Sequence, residues 1–101
     1  HAGIDIKTQQ LEGLNILASA DGYISKIKIS HWGYGKVLYI THPNGYTSFY
    51  GHLKKFTPAI ENYVRKNQYE KESFEIELQP KSKELSVKKG ELIALSGNTG
   101  S

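Results

Sequence analysis

The chain has 101 residues, 13 basic and 10 acidic, with no cysteine and no methionine. That length allows one modest core, and the absence of cysteine excludes disulfide staples, thiolate nucleophiles and thiolate metal sites. The net charge of +3 is dispersed: between Glu61 and Glu91 seven acids offset seven bases, so the single basic face of a nucleic-acid binder is not expected. No apolar run approaches the ~20 residues needed to span a bilayer. With no methionine, a chain opening on His1 reads as a processed or excerpted part of a longer protein, whose targeting signal would lie upstream.

Ten glycines, seven tyrosines and many β-branched residues point to a mainly β fold. Gly3–Ile6 and Asn15–Ala18 are short strand candidates, separated by a polar stretch. Asp21-Gly22 is a turn signal before Tyr23–Ile29, where Ile27 and Ile29 alternate with Lys26 and Lys28. His31-Trp32-Gly33-Tyr34-Gly35 breaks the alternation as a glycine-rich loop. Lys36–Thr41 and Tyr46–Leu53 form a hairpin across Pro43-Asn44-Gly45, with Asn-Gly expected to supply the positive φ angles of a tight turn. Thr57-Pro58 opens a helix over about 58–72, with Ile60, Tyr63 and Val64 on one face. Phe74–Leu78 alternates as a strand, Gln79–Leu85 is a loop, Val87–Glu91 a turn and Leu92–Leu95 a strand. A glycine-rich segment, Gly97–Ser101, closes the chain.

Four histidines are the candidate chemistry: His1, His31, His42 and His52. His1 and Asp5 carry good zinc donors, but four residues of extended strand hold them roughly 13 Å apart, so sharing one ion requires a bend, for which Gly3 has the freedom. By strand alternation Tyr46, Ser48, Tyr50 and His52 share one face, a row of hydroxyls ending in an imidazole. Thr47, Phe49, Gly51 and Leu53 take the other, expected to be the core side. His42 reads as a solvated turn residue, and His31 as a packing or loop-capping residue beside Trp32.

Together these pieces resemble a family. His1-Ala2-Gly3-Ile4-Asp5 is similar to the His-x-Gly-x-Asp motif of the lysostaphin-type and LytM-type zinc endopeptidases. Asn44–Leu53 resembles their Asn-Gly…Tyr-x-His-Leu strand. Val87–Ala94 and Gly97-Asn98-Thr99-Gly100 resemble their last two ordered elements. The resemblance implies an antiparallel β-sandwich or barrel-sandwich hybrid, a duplicated hybrid motif, with residues 1–101 an incomplete peptidase-like domain. It implies one zinc ion with His1 and Asp5 as ligands and His52 as catalytic histidine, acting on peptidoglycan peptides in the cell envelope. The third ligand, from a His-x-His motif, is expected beyond Ser101, so this chain by itself is not expected to be active.

The 37 residues between His52 and Gly90 exceed the family's usual connection. Residues 54–89 are read as an insertion that either walls the groove, binds a protein partner or is a solvated excursion. The main alternative is a non-catalytic relative that binds cell wall or activates other cell-wall hydrolases. A carrier domain is a weaker rival: the hairpin tip has no lysine, although His42 facing His52 would suit a phosphocarrier. A copper brace on an N-terminal His1 is weaker still.

Overall fold

Two tight turns and one proline-capped helix divide the chain into strands that all pair antiparallel. The computed structural model describes residues 13–97. The expected strand at Gly3–Ile6, the pair His1 and Asp5, and the segment Asn98–Ser101 lie outside the described residues. Among the described residues seven strands form one sheet: β1 (Asn15–Leu17), β2 (Gly22–Ile29), β3 (Lys36–Thr41), β4 (Thr47–Phe56), β5 (Ile76–Leu78), β6 (Ser86–Val87) and β7 (Leu92–Ser96). Their order is β1-β7-β4-β3-β2-β5, and β6 pairs with the opposite end of β2 from β5. The helix α1 (Pro58–Lys71) joins β4 to β5. The described residues are thus mainly antiparallel β with one short helix. No helix among the described residues is long and apolar enough to cross a membrane.

The alternation of β2 holds with one interruption. The register between β2 and β3 shifts between Ile24 and Lys26, and this bulge lets Ile24 and Ile27, three residues apart, point into the same core. Ile24, Ile27, Leu38, Ile40 and Ile93 are fully buried and form its centre. Ile60 and Val64 of α1 cover it, with Phe56 beneath the start of the helix. The turn at Pro43-Asn44-Gly45 is closed by the Gly45 amide to the His42 carbonyl (2.9 Å) and by the His42 amide to the Tyr46 carbonyl (2.8 Å). Only Gly45 has a positive φ, 92°. The turn is therefore the three-residue kind that ends in a left-handed glycine, not the two-residue kind in which Asn44 would also be left-handed.

Most boundaries agree with the sequence reading to within one residue, and three differences are larger. β4 continues through Lys54 and Lys55 to Phe56, because Phe56 is a core residue. β5 begins at Ile76, not Phe74: the Ser73 hydroxyl bonds the Glu75 carbonyl (2.7 Å), bending the chain there. Val87 belongs to a two-residue strand, and the turn that follows is closed by the Glu91 amide to the Lys88 carbonyl (2.9 Å).

The helix starts at Pro58, whose fixed φ suits the first turn. The Thr57 side chain makes no capping bond; instead Glu61 Oε2 accepts the Phe56 amide (3.0 Å). The helix ends at Glu72 in a left-handed conformation (φ 52°). The Ser73 amide there bonds the Gln68 carbonyl (3.1 Å) and the Glu72 amide bonds that of Tyr69 (3.2 Å). On its flank the Tyr63 hydroxyl donates to Glu84 Oε1 at 3.4 Å. Burial first, then the Glu84 carboxylate and this bond, raise the Tyr63 phenol above its usual 10.0.

Two outcomes follow from this packing. Ile27→Ala should cost about 2–5 kcal/mol in urea unfolding, whereas Tyr69→Ala, on the exposed end of α1, should stay within about 0.5 kcal/mol. The folded state holds the Tyr63 proton more tightly than the unfolded chain. The stability this supplies is complete below the unfolded phenol pKa and is lost as pH rises through the raised folded value. Glu84→Gln should bring the Tyr63 titration, read by ultraviolet absorbance, back down towards 10.0.

Candidate active site

His52 sits at a break in β4. The β3–β4 register pairs Lys36 with Leu53 but Leu38 with Tyr50, so two residues of β3 span three of β4. The extra residue is taken up at Gly51-His52, and His52 adopts a left-handed backbone with φ 54°. That conformation costs a β-carbon-bearing residue of order 1–3 kcal/mol and persists only where neighbours enforce it. Two backbone bonds do so: the His52 amide donates to the Tyr34 carbonyl (2.9 Å), and the His52 carbonyl accepts the Gly97 amide (2.9 Å). Gly97 approaches so closely that a β-carbon there would lie 2.7 Å from the His52 oxygen.

The bulge overturns the expected faces of β4. Ser48 pairs with Ile40 and Tyr50 with Leu38, both core residues, and Tyr50 packs against the core. Phe49, expected inside, pairs with Tyr39 on the outer face and is 46% exposed. Past the extra residue the parity resets, so Leu53 is buried after all. His52 thereby leaves the row of Ser48 and Tyr50 and joins an aromatic group. Its ring lies 5.1 Å from that of Tyr34, Tyr34 lies 5.2 Å from Phe49, and Phe49 lies 5.2 Å from Tyr39, each edge to face. Lys26 Nζ ends the series 5.3 Å over the Tyr39 ring. Beside this group a pocket of about 160 Å³ is lined by Lys28, Ser30, Trp32, Tyr34, Tyr39 and Phe49.

His42 corrects a second expectation. It is buried, not a solvated turn residue. Nδ1 is 2.7 Å from the Asp21 carbonyl oxygen, which only accepts, so the proton resides on Nδ1. Nε2, 2.6 Å from Ser48 Oγ, then accepts the serine proton. The chain of bonds continues from Ser48 to the Ser19 hydroxyl (2.9 Å) and to the Tyr50 hydroxyl (3.1 Å). Both ring nitrogens are committed to internal partners, which removes His42 as a metal ligand and as the partner of His52 in a phosphocarrier. His31 packs, as read from the sequence: its exposed ring stacks on Phe74 with centroids 4.9 Å apart.

Among the described residues no group of three His, Cys, Asp or Glu side chains is placed to hold a metal ion. The expected ligands His1 and Asp5 lie outside the described residues. Tyr34 and Gly97, the residues that hold His52, enter the sequence reading only as parts of glycine-rich segments, with no role of their own. Their signals were the glycine-flanked tyrosine in Gly33-Tyr34-Gly35 and the glycine directly after a strand.

Two substitutions probe this geometry. His42→Ala removes two hydrogen bonds, to the half-buried Ser48 hydroxyl and the Asp21 carbonyl, and at about 0.5–1.5 kcal/mol each should cost about 1–3 kcal/mol in urea unfolding. Gly97→Ala should cost about as much, because the end of β7 must move away from His52, and the His52 amide should lose protection in hydrogen exchange.

Comparison with known proteins agrees with this architecture. The model of peptidase family M23 matches residues 1–69. An uncharacterized metalloprotease of Haemophilus influenzae is 33% identical over 100 residues, 99% of this chain and 16% of that protein. DD-carboxypeptidase/endopeptidase Mpg of Neisseria meningitidis is 42% identical over 62 residues, 61% of this chain and 14% of that protein. Mpg of Neisseria gonorrhoeae matches over the same share. The chain thus spans less than a fifth of the length of these relatives. No solved structure matches it. A match over more than two thirds of the chain, running from His1 through the β4 bulge, establishes that the chain belongs to peptidase family M23.

Proposed function

We propose that this chain is part of the catalytic domain of a zinc endopeptidase that hydrolyses peptide cross-links of bacterial peptidoglycan in the cell envelope. The observation that carries the reading is His52, held in a costly left-handed conformation by two backbone bonds and set against Tyr34, which lines an aromatic pocket, in a chain of a peptidase family. The names of the relatives, a metalloprotease and a DD-carboxypeptidase/endopeptidase, support a metal and a peptide substrate of cell-wall type.

In this reading His1 and Asp5 supply two metal ligands, with a third from sequence beyond Ser101. Nitrogen and carboxylate oxygen are the donors zinc favours in catalytic sites. Bound zinc supplies a polarised carbonyl and an acidified water. The work of this chain's own described residues is proton handling and positioning. The imidazole of His52 takes a proton from the attacking water or returns one to the leaving amine. The Tyr34 and Gly97 backbone bonds keep that ring from rotating away with the strand. The pocket of Trp32, Tyr34 and Phe49 excludes water on one side and receives the chain flanking the scissile bond. Residues 54–89 form an insertion beside this groove.

The test uses the intact protein that contains this chain, dye-labelled peptidoglycan sacculi and zinc analysis by mass spectrometry. His52→Asn suits the purpose because asparagine tolerates the left-handed backbone. It should lower dye release by about 10²–10⁴-fold with bound zinc unchanged. His1→Ala and Asp5→Ala should lose zinc and activity together, and chelation should abolish activity until zinc is restored. A wild-type protein that binds no zinc and releases no dye would sink the enzyme reading in favour of a non-catalytic relative.

A further inference from the structure

The loop that holds His52 is itself held from outside the hairpin. It connects β2 to β3 and is pinched at its base by the Ser30 amide to the Gly35 carbonyl (3.0 Å). Its own internal bonds are few. The Trp32 amide reaches the Ser30 hydroxyl (3.1 Å), while the Trp32 side chain is 82% exposed. A short, glycine-rich, solvent-facing loop of this kind belongs to the low-stability end of a fold. Yet it supplies both the carbonyl and the ring that contact His52.

The stiffening comes from the segment between α1 and β5. The Glu75 carboxylate accepts the His31 amide at 2.6 Å, a short charge-assisted bond. The Phe74 ring stacks on the His31 ring at 4.9 Å and 22°. Both residues are fixed from behind. Gln68 of α1 donates its side-chain amide to the Phe74 carbonyl (2.8 Å), and the Ser73 hydroxyl bonds the Glu75 carbonyl (2.7 Å). Directly after them β5 pairs with Ile27–Ile29, the strand end from which the loop departs. A continuous set of contacts thus runs from α1 through Phe74 and Glu75 to His31, along the loop to Tyr34, and on to His52.

We propose that Phe74 and Glu75 are positioning residues for His52, acting through His31 and Tyr34, so that the α1–β5 segment is a brace of the active-site loop. The proposal rests on the reading of His52 as the proton-handling group. It also accounts for a costly feature: Phe74, 52% exposed, buries little in the core and instead spends its ring on the loop. Catalytic geometry is sensitive to such remote support, because a misplacement of order 1 Å reduces rate by up to about 10²-fold.

The experiment pairs two readouts on the intact protein. Hydrogen exchange followed by mass spectrometry reads residues 31–35 and the His52 amide. Hydrolysis of a purified cross-linked muropeptide dimer reads kcat and KM. Phe74→Ala and Glu75→Leu should each speed exchange in both places and lower kcat about tenfold, with KM changed less than about twofold. The melting temperature should hold, since neither side chain is in β5 or the core. Phe74→Tyr and Glu75→Gln, which keep a ring and an acceptor, should behave as wild type. In a double-mutant cycle His31→Ala should add little to Phe74→Ala. Tyr69→Ala, in the last turn of α1 and outside the contacts, is the control and should change nothing. Unchanged exchange at residues 31–35 in Phe74→Ala and Glu75→Leu overturns the proposal, as does faster exchange with unaltered kcat. A wild-type protein inert on the muropeptide overturns the peptidase reading alone, and the exchange at His52 still decides whether the brace exists.

Discussion

One extra residue in β4 organises the functional end of this molecule. Without the bulge at Gly51-His52, strand parity would put His52 on the inner face with Ser48 and Tyr50, where its polar ring would need internal partners of the kind His42 has. With it, His52 swings to the outer face beside Tyr34 and Phe49, and Leu53 and Phe56 return to the core. The price is a left-handed backbone at a residue with a β-carbon. The structure meets that cost locally, with one bond from the β2–β3 loop and one from the residue that follows β7. These two suppliers are far apart in sequence. The geometry of His52 therefore forms only once β3, β4 and β7 are assembled, and the site inherits the cooperativity of the whole sheet.

The contrast between the two hairpin histidines shows how identical side chains acquire different chemistry. His42 ends β3 at a place where the Asp21 carbonyl fixes its tautomer and Ser48 fills its remaining lone pair. The result is a satisfied polar network inside the sheet edge, with Ser19 and Tyr50 completing it. Such a network specifies register: sliding β4 by one residue would remove Ser48 from His42 and leave a buried imidazole unpaired. His52 lies at the edge of an aromatic group, its ring edge to face with that of Tyr34. One histidine locks the hairpin in register, and that register places the bulge that delivers the other.

Much of this was legible in the sequence where periodicity and turn chemistry act locally. The strands β1 to β4, the hairpin turn, and α1 with Ile60 and Val64 inward all follow from alternation, Asn-Gly and Thr-Pro. The order of motifs also pointed to the family that the comparison established. What failed was any statement requiring strict alternation across Gly51. A bulge inserts a single residue without changing composition, so period-two counting passes over it and assigns Phe49 to the core and His52 to the row of hydroxyls. His42 was misjudged because its partners, the Asp21 carbonyl and Ser48 Oγ, are set by tertiary pairing. Neither leaves a trace in the residues next to it. Phe74 was read as the first residue of an alternating strand, since Phe-Glu-Ile-Glu-Leu fits that pattern. Its actual partner, the His31 ring, is brought near only by the antiparallel pairing of β5 with β2.

That pairing bears on why a long connection between β4 and β7 is tolerated. Extending a loop costs little entropy, since the closure term grows only logarithmically with length. The added residues must still bury enough apolar surface to stay ordered. Here Ile60, Val64, Ile76, Leu78 and Val87 do so, all joining the same core. The segment is therefore anchored by five buried aliphatic side chains, with its polar and aromatic residues left for other contacts. Two of these, Phe74 and Glu75, meet the loop that holds His52. An element fastened to the core at both ends and touching the β2–β3 loop at its middle can stiffen that loop without lining the pocket itself. In the proposed reading, support of this kind would separate the rigidity of the site from its specificity, with Phe74 and Glu75 acting on the first and the pocket of Trp32, Tyr34 and Phe49 on the second.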